Sequence, residues 1–127
     1  MRILAVETSS KRGSIALYNN GSVKEVCFSE SFDHGYLLVA KIKELLCNEN
    51  IEISSIDVLG VDYGPGSYTG LRIGIACVKT LAFMCREFFK KDIKIVTVGS
   101  LDVLAFGVNL WCSVAEFVEL YVPSLKP

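Results

Sequence analysis

The run from Ile56 to Phe83, IDVLGVDYGPGSYTGLRIGIACVKTLAF, constrains the fold more than any other part of the chain. Residues 56-IDVLGVDY-63 form a short apolar segment that predicts a strand, and Gly64, Pro65, Gly66 and Gly70 interrupt it. The apolar stretch beyond them predicts a helix from about Gly70 to Glu87. A further strand-like run, 93-IKIVTV-98, comes next, and a short helix is expected from near Ser100. Strand, glycine-rich turn, helix and strand make a right-handed βα crossover within one sheet.

Upstream, 2-RILAVE-7 is almost continuously apolar from Ile3 to Val6, as expected for a strand buried on both faces. The segment 13-GSIALY-18 runs into Asn19-Asn20-Gly21, residues that tolerate positive φ and mark a hairpin, and 22-SVKEVCF-28 returns. A helix is predicted from about Asp33 to Asn48, capped by Ser31 or Asp33, with Leu38, Val39, Ile42, Leu45 and Leu46 on one apolar stripe. A hairpin meander followed by βα crossovers is the ribonuclease-H-like arrangement, which is also one lobe of the actin/sugar-kinase ATPase (ASKHA) architecture. The expected fold is therefore α/β, a mixed five-stranded sheet with helices.

With 127 residues, 51% hydrophobic and 21% charged, the chain is long and apolar enough for one core and is not disordered. A net charge of −1 excludes a function built on an electrostatic grip on nucleic acid. The cysteines (Cys27, Cys47, Cys77, Cys85, Cys112) are odd in number and lack a C-x-x-C pair, so they read as reduced packing residues of a cytosolic protein. Charges at Glu7, Lys11 and Arg12 leave no signal peptide. The stretch from Val103 to Ala115 is too short to span a bilayer, so a cytoplasmic location without membrane association is expected.

Three places carry candidate chemistry. Gly64, Gly66 and Gly70 give G-x-G-x-x-x-G, one residue off the dinucleotide fingerprint. No lysine follows, and Pro65 removes a backbone donor, so a structural turn is favoured over a phosphate cradle. Glu7, Thr8 and Ser9 end the first strand where the actin/sugar-kinase architecture carries an acidic residue and small hydroxyls. With Gly64 and Gly66 they form a candidate vestigial nucleotide site, although Glu7 also reads as a solvated carboxylate. The single histidine, His34, has no second ligand at metal spacing, and no G-x-S-x-G elbow exists. On the second long helix, Arg72, Lys79 and Arg86 recur every seven residues as a narrow basic stripe, and almost everything else is apolar or small. Such a helix is expected to be covered on more than one side, by the first helix and by a second polypeptide, with Gly74 permitting close approach.

The opening MRILAVETSS, His34 at the head of the first helix, and GPGSYTGLRIGIA from Gly64 to Ala76 together resemble the bacterial TsaB (YeaZ) family. These are subunits of the machinery that makes threonylcarbamoyladenosine in tRNA. The hairpin Asn19-Asn20-Gly21 and 95-IVTVGSLDVLA-105 fit the same pattern, and the resemblance covers about residues 1–107. In the catalytic paralogue an H-x-x-x-H pair holds a metal after the fifth strand; Ser100 and Leu104 stand at those positions here, so no metal site is expected. The resemblance implies a noncatalytic scaffold that pairs through its helices, as a homodimer or with the catalytic threonylcarbamoyltransferase subunit. The ATPase subunit is a further expected partner, and tRNA is met only indirectly. His34, Leu38, Leu71, Arg72, Gly74, Ile75, Val78, Lys79 and Ala82 are the expected interface residues. No cofactor is expected on this chain alone, with ATP or ADP allowed at a complex interface.

Two features depart from the family. The first strand ends in Glu7-Thr8 where Asp-Thr is usual, and residues 108–127 form an atypical tail in place of a second lobe. The competing functional readings are a small nucleotide-binding ATPase or kinase-type lobe, and a truncated remnant without function.

Overall fold

A computed structural model describes residues 1–10, 12–29 and 34–110, with side chains placed for 1–10, 13–28 and 37–105. The expected capping residues Ser31 and Asp33, the side chain of His34 and the tail from 111 to 127 lie outside the described residues. The elements are β1 (Arg2–Glu7), β2 (Arg12–Asn19), β3 (Ser22–Ser29), α1 (His34–Asn48), β4 (Val58–Asp62), α2 (Tyr68–Phe89), β5 (Lys94–Val98) and α3 (Ser100–Leu110). One mixed sheet holds all five strands in the order β3-β2-β1-β4-β5. The first three strands run antiparallel as a meander, and β1, β4 and β5 are parallel.

The continuous apolar run of β1 is explained by its central place. Leu4 and Val6 join Ile15, Leu17, Leu59 and Val61 beneath α1 and α2, whereas Ile3 and Ala5 join Ala16, Val58 and Val98 on the other face, against Val103 of α3. The β2–β3 turn places Asn20 at φ 50° and Gly21 at φ 98°, the positive values that a two-residue hairpin requires.

The fourth strand starts two residues later than expected. A 3-10 turn at Ile53–Ser55 consumes the approach, and Ile56 enters the core with no exposure. Asp57 is drawn aside because its carboxylate accepts the Arg2 N–H at 2.9 Å and the Lys91 ammonium at 3.1 Å.

Helix α2 begins two residues earlier than expected and ends two later. Ser67 caps it by accepting the Gly70 N–H at 3.2 Å, and Lys90 closes it in the left-handed region at φ 54°. Its 22 residues are long and apolar enough to cross a bilayer by length and composition alone. Here it crosses from β4 to its parallel neighbour β5 and buries Gly70, Gly74, Val78 and Cys85. Helix α1 lies beside it with Leu38, Ile42, Leu45 and Leu46 inward. Val39, expected on that stripe, turns outward and is 55% exposed.

Candidate functional site

The loop between β4 and α2 is built around the end of β1. The Thr8 hydroxyl donates to the Gly70 carbonyl at 2.7 Å, and the Ser67 N–H donates to the Ser9 carbonyl at 2.6 Å. A Cβ on Gly66 would stand 2.3 Å from the Ser9 carbonyl oxygen, one on Gly70 2.1 Å from that of Thr8, and one on Gly74 2.3 Å from the Thr8 hydroxyl. Gly66, Gly70 and Gly74 recur at every fourth position, so they form one bare edge on which the β1 end rests. Gly64 has its own reason, a φ of 106° before the cis peptide bond to Pro65.

The five residues of the candidate nucleotide site do converge here, and several donors around them are engaged within the chain. The Gly64 N–H bonds the Asp62 carboxylate at 2.7 Å, the Ser67 N–H is held by Ser9, and the Gly70 N–H by the Ser67 hydroxyl. Thr8 is buried, with its hydroxyl spent on Gly70, and is therefore corrected from a ligand-facing residue to a packing residue. Among the described residues no group of three or more His, Cys, Asp or Glu side chains is placed to hold a metal.

Two carboxyl groups meet at the ends of β1 and β4. Asp62 is fully buried; its Oδ1 accepts from the Gly64 N–H and from the Ser100 hydroxyl at 2.5 Å, while among the described residues no N–H or hydroxyl donates to Oδ2. Glu7 faces it. The Ser9 N–H (2.7 Å) and the Ser9 hydroxyl both donate to Glu7 Oε1. Burial pushes the Glu7 carboxyl up to about 7, the hydrogen bond and charge of Asp62 push the same way, and the Ser9 contacts oppose them. The hydrogen bond from Glu7 to Asp62 is one that the protonated form of Glu7 donates, which is why Asp62 favours the neutral Glu7 carboxyl. Glu7 is thus a half-buried carboxyl with Ser9 and Asp62 as partners rather than a freely solvated one. Asp62 and Ser100 were missed as a pair: a lone Asp closing an apolar strand ahead of Gly-Pro-Gly was the available signal.

The outer surface of α1 and α2 is the second site. Val39, Phe83 and Met84 are 55%, 56% and 43% exposed, and a depression of about 450 Å³ between the helices is lined by Val39, Ile42, Leu46, Leu81 and Met84 among others. Arg72 lies over the Tyr68 ring at 5.3 Å, and Arg72 and Lys79 are exposed. Leu71, Ile75 and Ala82 are half-buried. Leu38, Gly74 and Val78 must be removed from the expected interface, because all three are buried inside the lobe. Gly74 admits Thr8 rather than a second polypeptide. His34 opens α1, and its side chain lies outside the described residues.

This topology defines an α/β lobe of the ribonuclease-H-like, ASKHA type. The solved structure of YeaZ from Pseudomonas aeruginosa superposes with a TM-score of 0.77 at 27% identity, over 87% of this chain and 49% of that one. RuvC from T. thermophilus, at 9% identity and a TM-score of 0.53 over 83% of this chain and 68% of that one, shares the fold alone. The family model described as "TsaD: tRNA N6-adenosine threonylcarbamoyltransferase" matches residues 29–119. The tRNA threonylcarbamoyladenosine biosynthesis protein TsaB of Escherichia coli is 36% identical over 110 residues, covering 84% of this chain and 44% of its own length. TsaB of Bacillus subtilis is 35% identical over 106 residues, covering 83% and 44%. The tRNA N6-adenosine threonylcarbamoyltransferase of Staphylococcus haemolyticus is 31% identical over 98 residues but covers only 64% of this chain and 29% of its own. The chain belongs to the TsaB/YeaZ family. It spans less than half the length of the curated relatives it matches.

Proposed function

We propose that the chain acts in the synthesis of threonylcarbamoyladenosine in tRNA as a noncatalytic assembly subunit. It associates through the outer surface of α1 and α2, with a second copy or with the catalytic transferase subunit. The ATPase subunit joins the same complex in the cytoplasm, and tRNA is met through these partners. Any ATP or ADP sits at an interface of the complex. The observation that carries this reading is the apolar face around Val39, Phe83 and Met84, which no described element covers. An exposed patch of this kind beside a lined depression is what a helix-pair interface requires. The relatives' names support the pathway, and the bonds that the Gly64 and Gly70 N–H groups make within the chain weigh against a phosphate cradle in this loop.

The test is the doubly substituted variant Val39→Glu, Met84→Glu in size-exclusion chromatography with light scattering. Both positions are exposed, so the fold is retained, as circular dichroism would show. Association with itself or with the transferase should be lost. A folded variant that associates like the unmodified chain would overturn the assignment.

A further inference from the structure

On the opposite flank of α2 from the helix pair, the sheet ends in an open edge. In the parallel pairing of β4 with β5, Lys94 stands opposite Val58, Val96 opposite Gly60 and Val98 opposite Asp62. The Lys94 N–H donates to Asp57 at 3.3 Å, and the Val98 carbonyl accepts from Tyr63 at 3.0 Å. The alternation of a parallel ladder then turns the N–H and C=O of Ile95 and Thr97 away from β4, toward the free side. Both residues are exposed, and among the described residues no strand pairs there.

A groove of about 250 Å³ runs between this edge and α2, lined by Lys79, Ala82, Phe83, Arg86, Asp92, Ile93 and Ile95. Lys79 and Arg86 are exposed, and neither forms an ion pair among the described residues. Asp92 offsets one of these charges, and exposed Lys94, on the strand itself, restores the excess.

We propose that the β5 edge docks an extended acidic segment of another protein, added as a further strand with its acidic side chains over Lys79 and Arg86. Three observations select this occupant. The unpaired N–H and C=O groups of Ile95 and Thr97 call for a polypeptide backbone, because a phosphate chain offers acceptors only. Seven helical residues separate Lys79 from Arg86, about 10.5 Å along the axis, and same-face side chains on a strand recur every 6–7 Å or so. Acidic residues two or four positions apart therefore reach both cations. A second copy of this chain would bring the same cations against themselves, which disfavours pairing of one β5 with another. The other sheet edge, β3, carries Lys24 beside Glu25 and has no such charge preference. This inference rests on the β5 edge and the Lys79–Arg86 side of α2 rather than on the depression between α1 and α2; Phe83, Lys79 and Ala82 are common to both surfaces.

The experiment is fluorescence anisotropy of a labelled, end-blocked peptide alternating valine and glutamate, titrated with the full chain. Saturable binding is expected, weakened at least about tenfold by Lys79→Glu with Arg86→Glu and weakened by added salt. N-methylation of alternate peptide amides should abolish it, because it removes the ladder donors. Absence of saturable binding overturns the proposal, as does equal binding of the N-methylated peptide or equal binding by the charge-reversed variant. Tighter binding of an oligouridylate would assign the groove to RNA. Self-association that disappears in Thr97→Pro would assign the edge to a second copy. Either result refutes the acidic-strand reading.

Discussion

The carboxyl pair makes the stability of this lobe depend on pH in an unusual direction. Glu7 rises from 4.5 to about 7 on folding, with burial as the leading cause and Asp62 reinforcing it. Between those values the folded state holds more protons than the unfolded chain, so stability falls as pH rises from about 5 to 8. A full conversion at 1.36 kcal/mol per pKa unit sets a ceiling of about 3 kcal/mol. Glu7 is only partly buried, and solvent screening reduces the expected loss to roughly 1–2 kcal/mol. Asp57 does not confuse this window. Burial pushes its carboxyl up, but the Arg2 N–H and Lys91 outweigh that and hold it below its usual 3.8, so its contribution is lost only in stronger acid. The assay is urea denaturation at pH 5.0 and 8.0, comparing the chain with Glu7→Gln. The glutamine is neutral at both values and donates an N–H toward Asp62, so the difference should nearly vanish in the variant. A chain whose stability is flat or rises over this range, or a variant with the same slope, would refute the raised Glu7 carboxyl.

Two further outcomes follow from the loop. Gly70→Ala places a methyl 2.1 Å from the Thr8 carbonyl oxygen, which is backbone and cannot rotate away. A loss of about 2–3 kcal/mol is expected in thermal or urea unfolding. Gly74→Ala should also destabilise, because its methyl would stand 2.3 Å from the Thr8 hydroxyl, which is buried and can turn away only by giving up its bond to the Gly70 carbonyl. Calorimetry with Mg-ATP should show no saturable one-site binding at micromolar concentration, since the Gly64, Ser67 and Gly70 N–H groups are engaged within the chain; such binding would revive the nucleotide-binding reading.

Much of the architecture is legible in the residues because the apolar runs are short and well punctuated. The continuous run in β1, the Asn-Gly turn and the βα crossover each follow from a single local rule. The orientation of α2 does not. Apolar residues occupy most of its circumference, so the wheel alone does not say which side meets the sheet, and Gly74 and Val78, expected at an outward interface, both face in. The same ambiguity hid the meaning of the glycines. Their spacing was measured against phosphate loops, whereas Gly66, Gly70 and Gly74 at every fourth position mark the close approach of Thr8 and Ser9. The burial of Asp62 is not legible in the sequence, because it depends on Glu7 from a distant strand and nothing near Asp62 in the chain announces that partner.

The central claim is association through α1 and α2. Its most direct measurement is the molar mass, by light scattering, of the purified chain alone and mixed with the catalytic transferase subunit from the same host. The account predicts a mass of two chains or of the heterodimer, reverting to the monomer in the Val39→Glu, Met84→Glu variant while that variant stays folded. A chain that is monomeric alone and in the mixture would contradict it, as would an assembly that survives both substitutions.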